Sequence, residues 1–189
     1  MARAALNGET VIAEAARLVD ALGPTSLTLA VLADSLGVKI PSIYKHVDGM
    51  PGLQRGIMLN AKRELAHALR RAAVGASRDD AIEAICVTYR KWALAHPGQY
   101  PAVVHAPVPG DDADEQVSRE LIEILFKVLA GYDLHEDVAV DAARYFRSAI
   151  HGFVSLETSG GFELPNDLDR SFARIIDNLA AAFAAWSCT

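Results

Sequence analysis

Lys39, Tyr44, Lys45 and His46 fall within eight consecutive residues. Two ammoniums, a phenol and an imidazole on one short stretch suit phosphate oxygens and base edges, because each can donate a hydrogen bond and the lysines carry positive charge. Nothing else in the 189 residues reads as a reaction centre. There is no nucleophile elbow, P-loop, metal-site motif or paired-carboxylate setting, so catalysis is not expected. Asp111-Asp112-Ala113-Asp114-Glu115 is a charge run beside prolines and reads as a solvated loop. His96 and His105 lack dedicated ligand spacing, and no metal or cofactor is expected. Cys86 and Cys188 imply no disulfide or zinc framework; both read as packing or surface residues in a reducing cytosol.

The basic stretch needs elements that hold it outward. Thr28 is a good N-cap for a short helix running to about Leu36. Gly37 tolerates the positive φ of a tight turn, and Pro41 sits where a following helix begins and its missing N–H costs nothing. Ala33 is small enough for two helices to cross, while Leu32, Leu36, Val38 and Ile43 supply a shared core. Lys39, Ile40, Pro41, Ser42, Tyr44, Lys45 and His46 are then left facing outward. By spacing alone the segment also fits any helical hairpin, with Tyr44 and His46 half-buried. A preceding amphipathic helix runs from Thr10 to Leu22 and stops at Gly23-Pro24; a following one starts near Gly49-Met50-Pro51 and continues through Leu53, Ile57, Leu65 and Leu69.

The net charge of −6 opposes nucleic-acid binding only until it is divided along the chain. Residues 1–63 hold seven basic and five acidic groups, a balance of +2, and the remainder carries −8. Phosphate binding needs local positive charge, which this asymmetry permits. The longest apolar run is Leu179 to Trp186, too short for a membrane span, and Glu9, Glu14 and Arg17 interrupt any signal-peptide core.

The pattern Leu32-Ala33, Leu36-Gly37-Val38 and Ile43-Tyr44-Lys45-His46-Val47 closely resembles the signature of the TetR/AcrR family of transcriptional regulators. The likeness reaches upstream through the first helix and downstream to about Leu53. It implies that the helix holding Pro41 to His46 enters the major groove of a DNA operator. It implies further that Tyr44 and His46 touch phosphates, that Lys39 to Ser42 and Lys45 reach bases, and that Thr28 offers its backbone N–H and hydroxyl to a phosphate. Two positions depart from the family. Gly49-Met50 replaces the usual Ser-Lys pair that opens the fourth helix, and Lys39 stands where Ser or Thr is usual.

Beyond about residue 65 the punctuation thins and helices lengthen: roughly Arg78 to His96, Glu115 to Leu129, Asp137 to Thr158 and Leu168 to Trp186, with a short helix and loop between Pro101 and Asp114. No strand pattern competes. The expected fold is all-α, a three-helix bundle with a helix-turn-helix over 1–52 and a larger helical domain over 53–189, about nine helices in all. His151-Gly152 resembles the family subgroup marked by Trp and then His-Gly, with Phe146 in place of the tryptophan.

Tyr89, Trp92, His96, Val104, His105, Phe126 and His151 form an aromatic and histidine-rich set among aliphatic helices. Such a set suits a small hydrophobic or amphiphilic ligand, and equally a plain core. Phe146, Ile150 and Phe153 on one helix, with Phe172, Ile175, Leu179 and Phe183 on the next, form stripes that fit either monomer core or a homodimer interface. One short recognition helix reads few base pairs, so a two-fold dimer is expected. The whole reads as a cytoplasmic repressor released from a palindromic operator by a small ligand. The alternative is a dimeric DNA-binding regulator without an inducer, controlled by a protein partner.

Overall fold

The computed structural model describes residues 6–165 and 167–186, and among these every regular element is helical. The helices are α1 (Gly8–Leu22), α2 (Leu29–Leu36), α3 (Ile40–Ile43), α4 (Gly49–Ala73), α5 (Arg78–Ala95), α6 (Tyr100–Val103), α7 (Asp112–Ala130), α8 (Glu136–Thr158) and α9 (Leu168–Trp186), with a 3-10 turn at Pro24–Ser26. None of the described helices is long and apolar enough to cross a membrane. Cys188 lies outside the described residues, whereas Cys86 is fully buried in α5, where burial above all, with Glu83 nearby, pushes its thiol pKa up.

The chain forms two compact units. The first runs to Arg63 and takes in His96–His105; the second holds Glu64–Ala95 and the chain from Ala106 onward. The expected boundary at 52/53 therefore falls inside α4. The first turns of α4 pack closely on α1: a Cβ added at Gly56 would lie 2.7 Å from Ile12 Cδ1. Leu53 and Ile57 of α4 join Val11, Ala15, Leu18, Leu27, Leu32 and Ile43 in one buried cluster. A helix whose apolar stripe completes that core cannot be divided from it at residue 52.

In the second unit α5 packs against α7, α8 and α9, and α8 against α7 and α9. The Arg90 guanidinium of α5 fastens the end of α8 and the start of α9. It donates to both oxygens of Glu157, at 2.7 and 2.6 Å, and lies 2.7 Å from Asp169. It also stacks over the rings of Phe153 and Phe172.

The acidic run beside the prolines differs from its expected form. Asp112 to Glu115 form the first turn of α7 and not a solvated loop. Asp111 caps that turn by accepting the Asp114 N–H at 3.1 Å. Asp114 is wholly buried; its carboxylate accepts the Val108 N–H at 3.0 Å and the Ser118 hydroxyl at 3.2 Å. Carboxylates gather there because the unsatisfied N–H groups at a helix start attract negative charge.

Candidate nucleic-acid interface

The turn between α2 and α3 is set by three local features. The Thr28 hydroxyl oxygen accepts the Val31 N–H at 3.2 Å, capping α2. Gly37 ends that helix at φ 63°, ψ 39°, the left-handed conformation in which a Cβ is strained. The Val38 N–H then reaches back to the Ala33 carbonyl at 2.9 Å. Pro41 stands in the first turn of α3, and Lys39 precedes that helix as its N-cap. Regular α-helix covers only Ile40–Ile43. The chain nevertheless keeps turning, since the N–H groups of His46 and Val47 both donate to the Ile43 carbonyl, at 2.9 and 3.1 Å.

These bonds decide which side chains face out. Leu32, Ala33, Ile43 and Val47 are buried, and Leu36 and Val38 pack partly against them. Thr28, Lys39, Ile40, Pro41, Tyr44 and Lys45 are exposed, and Ser42 and His46 are half-buried. Tyr44 keeps 59 % of its surface in solvent, which removes the plain hairpin with a half-buried tyrosine. The result is a compact face with two ammoniums, a phenol, an imidazole and two hydroxyls on a rigid backing, able to meet phosphates and base edges at once.

The family departure at residues 49 and 50 has a local reason. Gly49 takes φ +62°, where a serine would be strained, and Met50 spends its side chain partly against the buried cluster. The α1–α2 pair is braced at the surface by Glu14. It holds Arg17 at 2.6 Å and accepts the Ser35 hydroxyl, and these bonds, Arg17 first, lower its pKa below the ordinary carboxylate value.

Sequence reasoning missed the clamp that ties residues 96–105 to α1. The Asp20 carboxylate accepts the N–H groups of Gly98 and Gln99, at 3.0 and 3.1 Å, and the Gln99 side-chain amide at 2.6 Å. His96 Nδ1 lies 3.0 Å from the same carboxylate. Gly98 presses on α1 so closely that a Cβ there would stand 2.1 Å from the Val19 carbonyl oxygen. Pro97-Gly98 reads in sequence only as a helix stop, and nothing local points to a partner on α1.

The seven residues expected around a ligand are divided. Tyr89, Trp92, Phe126 and His151 belong to the second unit; His96, Val104 and His105 belong to the first. His96 is engaged by Asp20, and His105 is exposed. Trp92 is buried, while Tyr89, Phe126 and His151 are half-buried. Burial, with a smaller contribution from Arg147, holds His151 below its ordinary pKa of 6.5.

The stripe expected at an interface faces inward for six of its seven residues. Phe146, Ile150, Phe153, Phe172, Leu179 and Phe183 are buried within the single chain, whereas Ile175 is half-exposed. A side chain already covered by its own fold has almost no surface to give a partner. The same helices leave Val138, Tyr145 and Leu156 of α8 exposed.

A family model described as "Tetracyclin repressor-like, C-terminal domain" matches residues 82–179. The HTH-type transcriptional regulator Rv0681 of Mycobacterium tuberculosis is 36% identical over 179 residues, which is 94% of this chain and 82% of that protein. The HTH-type transcriptional regulator YobS of Bacillus subtilis is 27% identical, over 90% of this chain and 89% of its own. The fold is similar to that of a TetR variant from Acinetobacter baumannii solved in complex with minocycline, with a TM-score of 0.71 at 21% identity, over 96% of this chain and 98% of that one.

Proposed function

The chain belongs to the TetR family of HTH-type transcriptional regulators, which bind DNA, and we propose that it is a cytoplasmic repressor released from a palindromic operator by a small hydrophobic or amphiphilic ligand. The observation that carries this reading is the α3 face: Lys39, Ile40, Pro41, Tyr44 and Lys45 stand exposed on a backing whose apolar side is buried. In this reading Lys39 to Ser42 and Lys45 reach bases, while Thr28, Tyr44 and His46 grip phosphates. One such face reads too few base pairs for specificity, so a two-fold dimer spaces two of them by about 34–36 Å.

The dimer uses the outward side of α8 and α9. Tyr145, Ala149, Gly152 and Leu156 recur at helical spacing on α8, and Ile175 and Ala182 on α9. A Cβ added at Gly152 would meet nothing within 4 Å, which leaves room for a second backbone to approach. The ligand site draws on Tyr89, Trp92, Phe126 and His151, a mostly apolar set with few polar handles. The relative solved with minocycline supports a ligand in this fold. A ligand releases DNA only if it binds one conformation of the dimer more tightly than the other.

The test is a gel shift with DNA from beside the protein's own gene. A sequence-specific shift is expected, its affinity falling steeply between low and physiological salt. A folded dimer that gives no specific shift at low salt refutes the reading.

A further inference from the structure

A cavity of about 440 Å³ opens in the second unit where α8 ends and α9 begins, lined by Phe153, Phe162, Glu163, Leu164, Leu168 and Ser171 among others. Its volume falls in the usual range of small-molecule sites, roughly 300–1,000 Å³. None of Tyr89, Trp92, Phe126 and His151 lines it, so it is a place distinct from the ligand set of the proposed function.

The cavity is built on a fixed backing. The Phe162 ring lies 4.9 Å from that of Phe153, which lies 5.1 Å from that of Phe172. Gly161 holds the loop on α8 by donating to the Leu156 carbonyl at 2.7 Å, and a Cβ there would sit 2.9 Å from the Leu156 side chain. Arg90 stacks over Phe153 and Phe172 and is itself held by Glu157 and Asp169.

Charge decides what suits it. Glu163 is exposed on the lining and makes no hydrogen bond or ion pair among the described residues. Glu157, Asp167 and Asp169 lie on the same loop and helix ends, and the Arg90 charge is already shared by two carboxylates. Among the described lining residues the one hydroxyl, on Ser171, donates to the Asp167 carbonyl at 3.1 Å, so these residues offer no free side-chain donor to an anion. Aromatic faces also favour a cation through their negative quadrupole.

We propose that this cavity binds a lipophilic organic cation, its apolar groups against Phe153, Phe162, Leu164 and Leu168 and its positive charge drawn by the nearby Glu163 carboxylate. The site does not depend on DNA binding, and its test is independent of any operator.

Tetraphenylphosphonium and tetraphenylborate have the same shape and opposite charge, so titration calorimetry of the full chain with each separates charge from greasiness. The phosphonium is expected to bind once per chain and the borate far more weakly. Glu163→Gln should weaken the phosphonium about fivefold and narrow the gap between the two ions. Phe162→Ala should weaken the phosphonium as well. Equal affinity for the two ions, or no effect of Glu163→Gln, overturns the proposal. So does a Phe162→Ala change in oligomeric state with no phosphonium binding by the parent, which would make a second copy of the chain the occupant. Glu163 is exposed and makes no bond to the described residues, so its substitution leaves the fold intact; unchanged circular dichroism checks this.

Discussion

The Gln99 side chain and its own backbone N–H both donate to the Asp20 carboxylate, at 2.6 and 3.1 Å, across 79 positions of sequence. Asp20→Ala removes the acceptor of these bonds and of the Gly98 N–H, leaving buried donors unsatisfied. Chemical denaturation is expected to show a loss of about 2–3 kcal/mol. Amide exchange at Gly98 and Gln99 should accelerate far more than at Val11 or Ala15. Gly98→Ala should cost a similar amount by steric conflict with Val19. Unchanged exchange at both amides would refute the clamp.

On the exposed α3 face the expected losses are in affinity for DNA and not in stability. Lys39→Ala and Lys45→Ala should each weaken binding to a duplex that the parent shifts. A lysine that reaches a base edge contributes about 1–3 kcal/mol of discrimination, so each alanine variant should also tolerate a changed base pair at the position that lysine reads. Tyr44→Phe removes one hydroxyl from a ring that is 59 % exposed, so its melting temperature should match the parent. A parallel loss of fold would mean that these side chains pack inward.

The two sides of the α8–α9 pair make opposite predictions. Leu156→Asp, on the exposed side of α8, should give a folded monomer by sedimentation and abolish high-affinity operator binding. Phe183→Asp, in α9 with no exposed surface, buries an unpaired charge and should unfold the second unit. A Leu156→Asp protein that still dimerises would place the interface elsewhere.

Arg90→Met should cost about 3 kcal/mol, because it leaves Glu157, whose side chain is only 11% exposed, without its bidentate partner. Arg90→Lys should recover little of this, since an ammonium cannot match two carboxylate oxygens in parallel. The bond to Asp169, 84% exposed, contributes a minor share. Thermal melts of the two variants decide it.

His151 gives a pH dependence of known sign. Its folded pKa lies below 6.5, so the unfolded chain binds the proton more readily. The stability tied to neutral His151 is full above pH 6.5 and is lost as pH falls from there toward the folded value. His151→Asn should therefore flatten the fall in melting temperature between about pH 7 and 5. An NMR titration of the imidazole should show the depressed midpoint.

The helix-turn-helix was legible because its causes are local. A cap at Thr28, a left-handed turn at Gly37, proline at the start of α3 and apolar spacing within about twenty residues decide the outward face before any distant segment packs on it. The α8 and α9 stripes were legible as apolar faces, yet periodicity cannot say whether a face meets its own chain or another. Burial of Phe146, Leu179 and Phe183 in one chain settles that for those residues. The acidic run was misread because composition does not distinguish a solvated loop from a helix start, and the unpaired N–H groups of α7 made the difference.

Residue spacing and backbone preference over short stretches are enough to dictate the all-helical architecture and the outward face of α3. Packing between distant segments was needed to assign α4 to the first unit through Arg63, to bring Gly98 and Gln99 onto Asp20, and to set Phe153, Phe162 and the Glu163 carboxylate around one cavity. The energy of those relationships comes from close packing and desolvated hydrogen bonds between parts of the chain that meet only once it has folded, which no local pattern encodes.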